Sequence, residues 1–489
     1  MATQGKKVSV IPADSQVSDF SSEETNRLNS ALIFAMFLLL AIGITMALTP
    51  PFQVPDTPVH FLKAASLAYG GLSPVIQGKQ AGYPLPIDLS YFIQLFTKIP
   101  FHPSVRVNAS EFQQAMHLSW SSRRVFSTFT QASFDPPILY IPDVIGVWIG
   151  RLFSLSILTS YYLAEAINAL TAIAILSLAV FLSKPKARFF IYAVSFLPIS
   201  LSLFGSVSRD SNLITLAVLA LALQMRNVDA IKSGVRLSGF MRLLPTLLLI
   251  PVAVTKPPYV LLYLAFGLPD RTAAPRIWRI INRIFPFIVG AATNALWYLF
   301  AGSSLVTSIN GVANVSPSKQ IKFVVLNPFT FIHDAEITTR RLWEFYFHSA
   351  IGQLGWLDTY LPNWSFVLLG LVLAASILNF LVGVELNSTT YRSVIVTLGS
   401  VILSILAVEA ALYVTFTPYR AVVILGVQGR YFLPIFPLVM LLPQRAQTIK
   451  FLSRLRTKVP LIYDSTLYPI AIVYSIVNVT TLVVRFWLS

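Results

Sequence analysis

The run ALIFAMFLLLAIGITMAL at residues 31–48 carries no charge along its whole length. As a helix rising 1.5 Å per residue it covers about 27 Å, close to the hydrocarbon thickness of a bilayer. Further apolar runs follow at 138–158, 161–182, 189–204, 213–223, 244–268, 284–300, 366–384, 394–414, 431–442 and 467–488. Backbone groups in lipid must be satisfied within their own segment, so the expected fold class is an all-α polytopic integral membrane protein. Composition agrees, because 55% of the 489 residues are hydrophobic and 11% charged, a balance that leaves lipid to cover much of the surface.

The formal charge of +16 raises the question of nucleic acid, but the basic residues sit in short loops between apolar runs, so no nucleic-acid partner is expected. Three loops are strongly basic: Arg226, Lys232, Arg236 and Arg242; Arg271, Arg276, Arg279 and Arg283; and Arg445, Lys450, Arg454, Arg456 and Lys458. The positive-inside rule puts all three in the cytoplasm. The absence of cysteine excludes disulfides, thiolate metal sites and thiol catalysis. Residues 1–30 are polar, and no apolar core follows Lys6 and Lys7 closely enough for a cleaved signal peptide. They are expected to form a cytoplasmic tail, with 31–48 retained as an anchor.

The remainder, 31–489, reads as one transmembrane domain with outer loops at 49–137 and 302–365. The first loop is too polar to span and too aromatic to be disordered, and 60–72 and 111–120 mix residue types at helical spacing. Short helices in the membrane interface are therefore expected. Three apolar runs between this loop and Arg209 give an odd number of crossings, and the basic run Lys184, Lys186, Arg188 favours a non-crossing element before it. Within 244–268 the sequence Lys256-Pro257-Pro258 prevents an unbroken helix. Two half-helices should meet there, with both outer ends at basic loops.

Polar residues gather where the apolar runs end. PPFQVPDTPVHF at 50–61 places Asp56 and His60 four apart, on one face if a helix starts at Pro58. A carboxylate there can take a proton from a hydroxyl, with His60 orienting it or binding phosphate; the structural alternative makes Asp56 a helix N-cap. At Ser208-Arg209-Asp210 the acid could equally cap a helix while Arg209 reaches the interface. Lys256, an ammonium between apolar halves, needs either an ion pair or a ligand. GQLGW at 352–356 and GVQGRY at 426–431 are compact loops in which Gln353, Trp356, Gln428, Arg430 and Tyr431 could hold sugar and phosphate. Their aromatics could equally form an interfacial belt. Asp135, before a diproline, reads as a cap and turn, with contact to substrate the lesser alternative. No P-loop, His-Glu-x-x-His or Gly-x-Ser-x-Gly motif occurs.

These motifs together, with DPPILYIP at 135–142 and KPPY at 256–259, make the chain resemble a bacterial membrane-protein family, domain of unknown function 2142, from about residue 31 to the last helices. That family is similar to the GT-C glycosyltransferases, which take a sugar from a polyprenyl-phosphate donor at the outer face of the membrane. The resemblance implies a GT-C-like helical bundle in the bacterial inner membrane, with an acid in the first outer loop as the catalytic candidate. Asp56 holds that position, whereas Thr57 stands where the family's usual pattern has Glu. The expected partners are membrane lipids, a polyprenyl-phosphate-linked sugar and a glycan or lipid acceptor of the cell envelope. Asp56 and His60 would be catalytic, and Arg209, Asp210, Lys256, Gln353, Trp356, Gln428, Arg430 and Tyr431 would bind substrate. The sequence assigns no cofactor and leaves a divalent cation open. The same cations would also suit a transporter or flippase of a lipid-linked glycan, although no internal inverted repeat is evident.

Overall fold

The structure is a computed structural model that describes residues 13–267, 276–302, 314–382, 384, 387, 390–444 and 465–488. Of the expected basic residues, Arg271, Arg445, Lys450, Arg454, Arg456 and Lys458 lie outside them, as do residues 1–12 of the polar tail. The described chain is a polytopic helical protein. Among the described residues seven helices are long and apolar enough to cross a membrane: Glu24–Leu48, Ile157–Leu182, Arg209–Lys232, Ile280–Ala301, Asn363–Val382, Tyr391–Thr415 and Leu467–Phe486.

Helix α1 (Ala13–Leu48) starts earlier than its apolar run and stops at Thr49-Pro50-Pro51, where proline removes the next backbone donors. The outer loop then forms α2 (Thr57–Ala68), α3 (Ile87–Leu95) and α4 (Ala109–Met116). A small antiparallel sheet, β1 (Val75–Gln77), β2 (Gln80–Pro86) and β3 (Arg124–Thr128), completes it; the helical spacing gave no hint of these strands. Helix α2 is not laid in an interface, since His60 to Ser66 are buried against the bundle.

The odd crossing count is explained by length. Helix α5 (Ile141–Leu152) has 12 residues, about 18 Å, which is too short to span. It packs closely on α6 (Ile157–Leu182), because a Cβ at Gly146 or Gly150 would collide with Ala164 or Ser160. The run at 189–204 is two helices, α7 (Pro185–Ser195) and α8 (Pro198–Phe204), bent by 77° at the residue before Pro198.

Helix α9 (Arg209–Lys232) and α10 (Gly239–Thr255) lead to the break at Lys256, after which Pro257–Phe266 returns as a 3-10 segment. Asn227 donates to the Met241 carbonyl at 2.6 Å and Gln224 to the Phe266 carbonyl at 2.7 Å, so both ends of this hairpin lie beside the C-terminal half of α9. Its apex, Lys256, reaches the first turn of α9.

Helices α11 (Arg276–Ala301), α12 (Pro317–Leu326), α13 (Pro328–Ile351), α14 (Asn363–Val382), α15 (Tyr391–Thr415) and α16 (Leu467–Phe486) complete the described helices. The expected helix at 431–442 is instead two 3-10 turns, Gly429–Phe432 and Phe436–Leu441, as Pro434 and Pro437 dictate. The segment connects Arg430, which pairs with Asp56, to Gln444, which accepts from Lys186.

One end of the bundle is basic. Lys184 pairs with Asp229 at 2.8 Å, Lys186 donates to Gln444, and Arg188 donates to Ser30 at 2.9 Å. The exit of α1, the start of α9, Lys256 and Arg430 meet at the other end.

Candidate functional site

The segment between α1 and α2 is held from several sides. The ring of Phe52 packs among Phe61, Phe92, Phe96 and Tyr161, and its backbone N–H donates to the Tyr161 hydroxyl at 3.2 Å. Gln53 donates to the Pro51 and Phe96 carbonyls, and the Trp356 indole to the Phe52 carbonyl at 2.9 Å. Phe52 and Asp56 both have left-handed backbone, φ 65° and 67°, a conformation that costs a non-glycine residue about 1 kcal/mol or more. This rigid double reversal turns Asp56 toward the centre of the bundle end.

Asp56 stands at the N-cap position of α2 but caps nothing with its side chain. Its Oδ2 accepts from Nη2 of Arg430 at 2.9 Å, its Oδ1 accepts no hydrogen bond from the described protein, and 44% of the side chain is exposed. Burial raises the carboxyl's pKa, but Arg430, His60 and Arg209 outweigh it and leave it below 3.8. Asp56 is therefore an ionised carboxylate with one oxygen open.

Arg430 is buried and central. Its Nε approaches Asp210 Oδ2 at 3.8 Å, and Asp210 Oδ1 accepts from Lys256 Nζ at 2.8 Å. The capping of α9 falls to Ser208, whose hydroxyl accepts from the Asp210 N–H at 3.3 Å, and this frees the Asp210 carboxylate for the cations. Lys256 also lies 4.2 Å from the centre of the Tyr431 ring, while the Tyr259 hydroxyl donates to the Tyr431 carbonyl at 2.9 Å. Arg430 can enter because a Cβ at Gly429 would collide with the backbone of Tyr346 and Ala350 on α13; the Gly429 N–H donates to Ser349 at 2.8 Å.

A second chain of contacts adjoins the first through Arg209. Arg209 is ion-paired with Asp135, whose other oxygen accepts from the Tyr140 hydroxyl at 2.7 Å, and that hydroxyl lies 2.7 Å from Nδ1 of His60. One turn along α2, Lys63 is buried with Nζ 3.4 Å from the Ser133 carbonyl; burial lowers its pKa against the pull of Asp135. Asp135, Tyr140 and Lys63 are additions to the expected set. Lys63 was foreshadowed by its i+3 spacing from His60, whereas nothing in the sequence connected Asp135 to Arg209.

Asp56, His60, Arg209, Asp210, Lys256, Arg430 and Tyr431 are thus brought together. Gln353 and Trp356 occupy a turn closed by the Leu354–Thr359 bridge, where Gln353 donates to the Leu357 carbonyl at 2.7 Å and Trp356 packs on Phe101. Trp356, through the Phe52 carbonyl, braces the segment that carries Asp56. Neither Gln353 nor Gln428 hydrogen-bonds to the ionic cluster, and each has a buried side-chain oxygen without a donor. For a divalent cation, no group of three or more His, Asp or Glu suited to a metal occurs among the described residues, and Arg430 and Lys256 fill the space between the carboxylates.

Two donors in the cluster are unspent. Nε of Arg430 and Nε of Arg209 are buried with no acceptor at hydrogen-bond distance, a cost of about 1–3 kcal/mol for each such group. An anionic oxygen reaching either one would relieve that cost.

Residues 27–439, from the end of the polar tail through the Arg430 segment, match the family described as Predicted membrane protein (DUF2142). The chain belongs to that family. No curated protein and no solved structure matches it. The family's description gives membrane residence and no activity, so any chemistry must be argued from the ionic cluster.

Proposed function

We propose that the protein is a membrane glycosyltransferase that moves a sugar from a polyprenyl-phosphate-linked donor to a glycan or lipid acceptor of the cell envelope. The observation that carries this reading is the open oxygen of Asp56 beside buried arginine donors that lack acceptors. The opposite end of the bundle is basic, and the positive-inside rule would make that end cytoplasmic. The ionic cluster would then work at the extracytoplasmic face of the inner membrane.

In the reaction, Arg430, Lys256 and Arg209 hold the donor phosphate and stabilise the charge that grows on it. An acceptor hydroxyl passes its proton to Asp56 Oδ1 and bonds to the anomeric carbon. The bond from that carbon to the phosphate oxygen breaks, and polyprenyl phosphate leaves with the electron pair. A phosphate on Arg430 also weakens that cation's hold on Asp56, which makes the carboxylate a better base when substrate is present.

The test uses purified protein in lipid vesicles with a radiolabelled polyprenyl-linked sugar. Transfer with release of free polyprenyl phosphate by the wild type and its loss in Asp56→Asn support the proposal. Movement of the intact lipid-linked sugar across the bilayer, equal in both proteins, would replace it with a transporter.

A further inference from the structure

Hydrogen-bond roles around Tyr140 follow from proton counting. Asp135 is ion-paired with Arg209 and offers only lone pairs, so the phenolic proton goes to it. A phenol has one proton, and its hydroxyl can therefore present His60 only with a lone pair. Nδ1 of His60, 2.7 Å away, must carry the hydrogen. Burial and then Arg209 hold the imidazole's pKa down at about 4, against the opposing pull of Asp56, Asp135 and Asp210, so the ring is neutral near pH 7. A neutral imidazole has a single N–H. With that hydrogen on Nδ1, Nε2 is a bare lone pair, and Nδ1 to Tyr140 is the one hydrogen bond that the ring makes among the described residues.

We infer that Tyr140 is a positioning residue that locks His60 in the Nδ1–H tautomer, so that His60 Nε2 accepts a hydrogen bond from a sugar hydroxyl and does not bind the phosphate. The hydroxyl is one other than that deprotonated by Asp56. This assignment gives the site a direction. A phosphate oxygen facing the Nε2 lone pair would be repelled, so the phosphate belongs on the Arg430, Lys256 and Arg209 side and the hydroxyl-bearing ring on the α2 side. The identity of the hydroxyl rests on the glycosyl-transfer proposal, but the tautomer rests on the protein alone.

The experiment is nitrogen-15 NMR of full-length protein in lipid at neutral pH, with 15N in the histidine rings. The chain has five histidines, and His60→Gln identifies the signal of interest. His102, whose Nδ1 lies 2.9 Å from the Pro100 carbonyl, is an internal reference for the same tautomer. His60 is expected to show a protonated Nδ1 and a bare Nε2, and Tyr140→Phe to shift the proton toward Nε2. In the transfer assay the same variant should be slowed about tenfold, the scale of loss when the group that orients a functional histidine is removed. A wild-type His60 protonated at Nε2, or a Tyr140→Phe spectrum with an unmoved tautomer, overturns the inference. If Tyr140→Phe does not fold, the wild-type spectrum alone decides. The spectrum needs no substrate, so failure of the transfer assay and failure of the tautomer assignment are separate results.

Discussion

Arg430 and Asp56, 374 residues apart in sequence, meet at 2.9 Å, and the same guanidinium reaches Asp210 through Nε at 3.8 Å. A planar guanidinium holds its donors in a fixed, wide fork that spans two carboxylates, a reach and geometry that a compact ammonium does not reproduce. Arg430→Lys should therefore fold but slow transfer by at least about 10-fold, as expected when an electrostatic contact to the transition state is lost. Arg430→Met, which leaves Asp210 short of a buried partner, should cost about 3 kcal/mol in unfolding experiments. Equal activity of Arg430→Lys and wild type would show that the fork is unnecessary.

Lys256 and Asp210 offer a second check, through a double-mutant cycle. Asp210→Asn and Lys256→Met each strand a charge, whereas the double variant strands none between them. The pair should show a coupling of about 1–3 kcal/mol in thermal unfolding. Additive effects would mean that the 2.8 Å contact contributes nothing specific.

The stability of the fold should depend on pH through His60. Burial, then Arg209, depress its folded pKa from 6.5 to about 4. The unfolded chain therefore binds a proton that the folded chain refuses as the pH falls through 6.5. The stabilising contribution is fully present above pH 6.5 and is lost progressively down to about pH 4, in total about 3 kcal/mol. Melting curves of wild type and His60→Gln should converge as the pH falls through this window, with the wild type falling more steeply; parallel curves would contradict the prediction.

The sequence made some of this architecture readable and concealed the rest for identifiable reasons. Long apolar runs such as 394–414 and 467–488 became α15 and α16 because length and hydropathy specify a span. Pro198 and the prolines of the Arg430 segment divided other runs into short or 3-10 pieces, since a missing N–H overrides apolar composition. Asp56, Asp210, Lys256 and Arg430 stood out as polar residues at helix ends. Which of them pair with which did not, because pairing depends on the Phe52 and Asp56 reversals and on the hairpin that lifts Lys256 to α9. Ser208 is the cap at α9, and serine beside aspartate at a helix start cannot be ranked from sequence alone.

Asp143 supplies a contrast with Asp135. It is fully buried in α5, and neither carboxyl oxygen has a donor; burial pushes its pKa well above the usual range, so it carries its proton. Asp143→Asn should change stability by under about 1 kcal/mol, while Asp135→Asn, which strands Arg209, should be clearly destabilising. Thermal unfolding of the two variants side by side checks this, and a greater loss from Asp143→Asn contradicts it.

Gly429 should tolerate no side chain. A methyl group there meets the Tyr346 carbonyl and Ala350, and relief requires α13 and the Arg430 segment to separate. Gly429→Ala should destabilise by about 1–3 kcal/mol, typical of overpacking, and lower transfer by displacing Arg430. A variant with wild-type melting and wild-type activity would show that the close approach is not needed.

Glycosyl transfer at Asp56 requires a lipid-linked phosphate to bind beside it. A structure of the wild-type protein with polyprenyl phosphate should place phosphate oxygens within hydrogen-bond distance of the unspent Nε donors of Arg430 and Arg209, with Lys256 beside them. A phosphate bound at the Lys184 and Arg188 end, or away from Asp56 altogether, would contradict it.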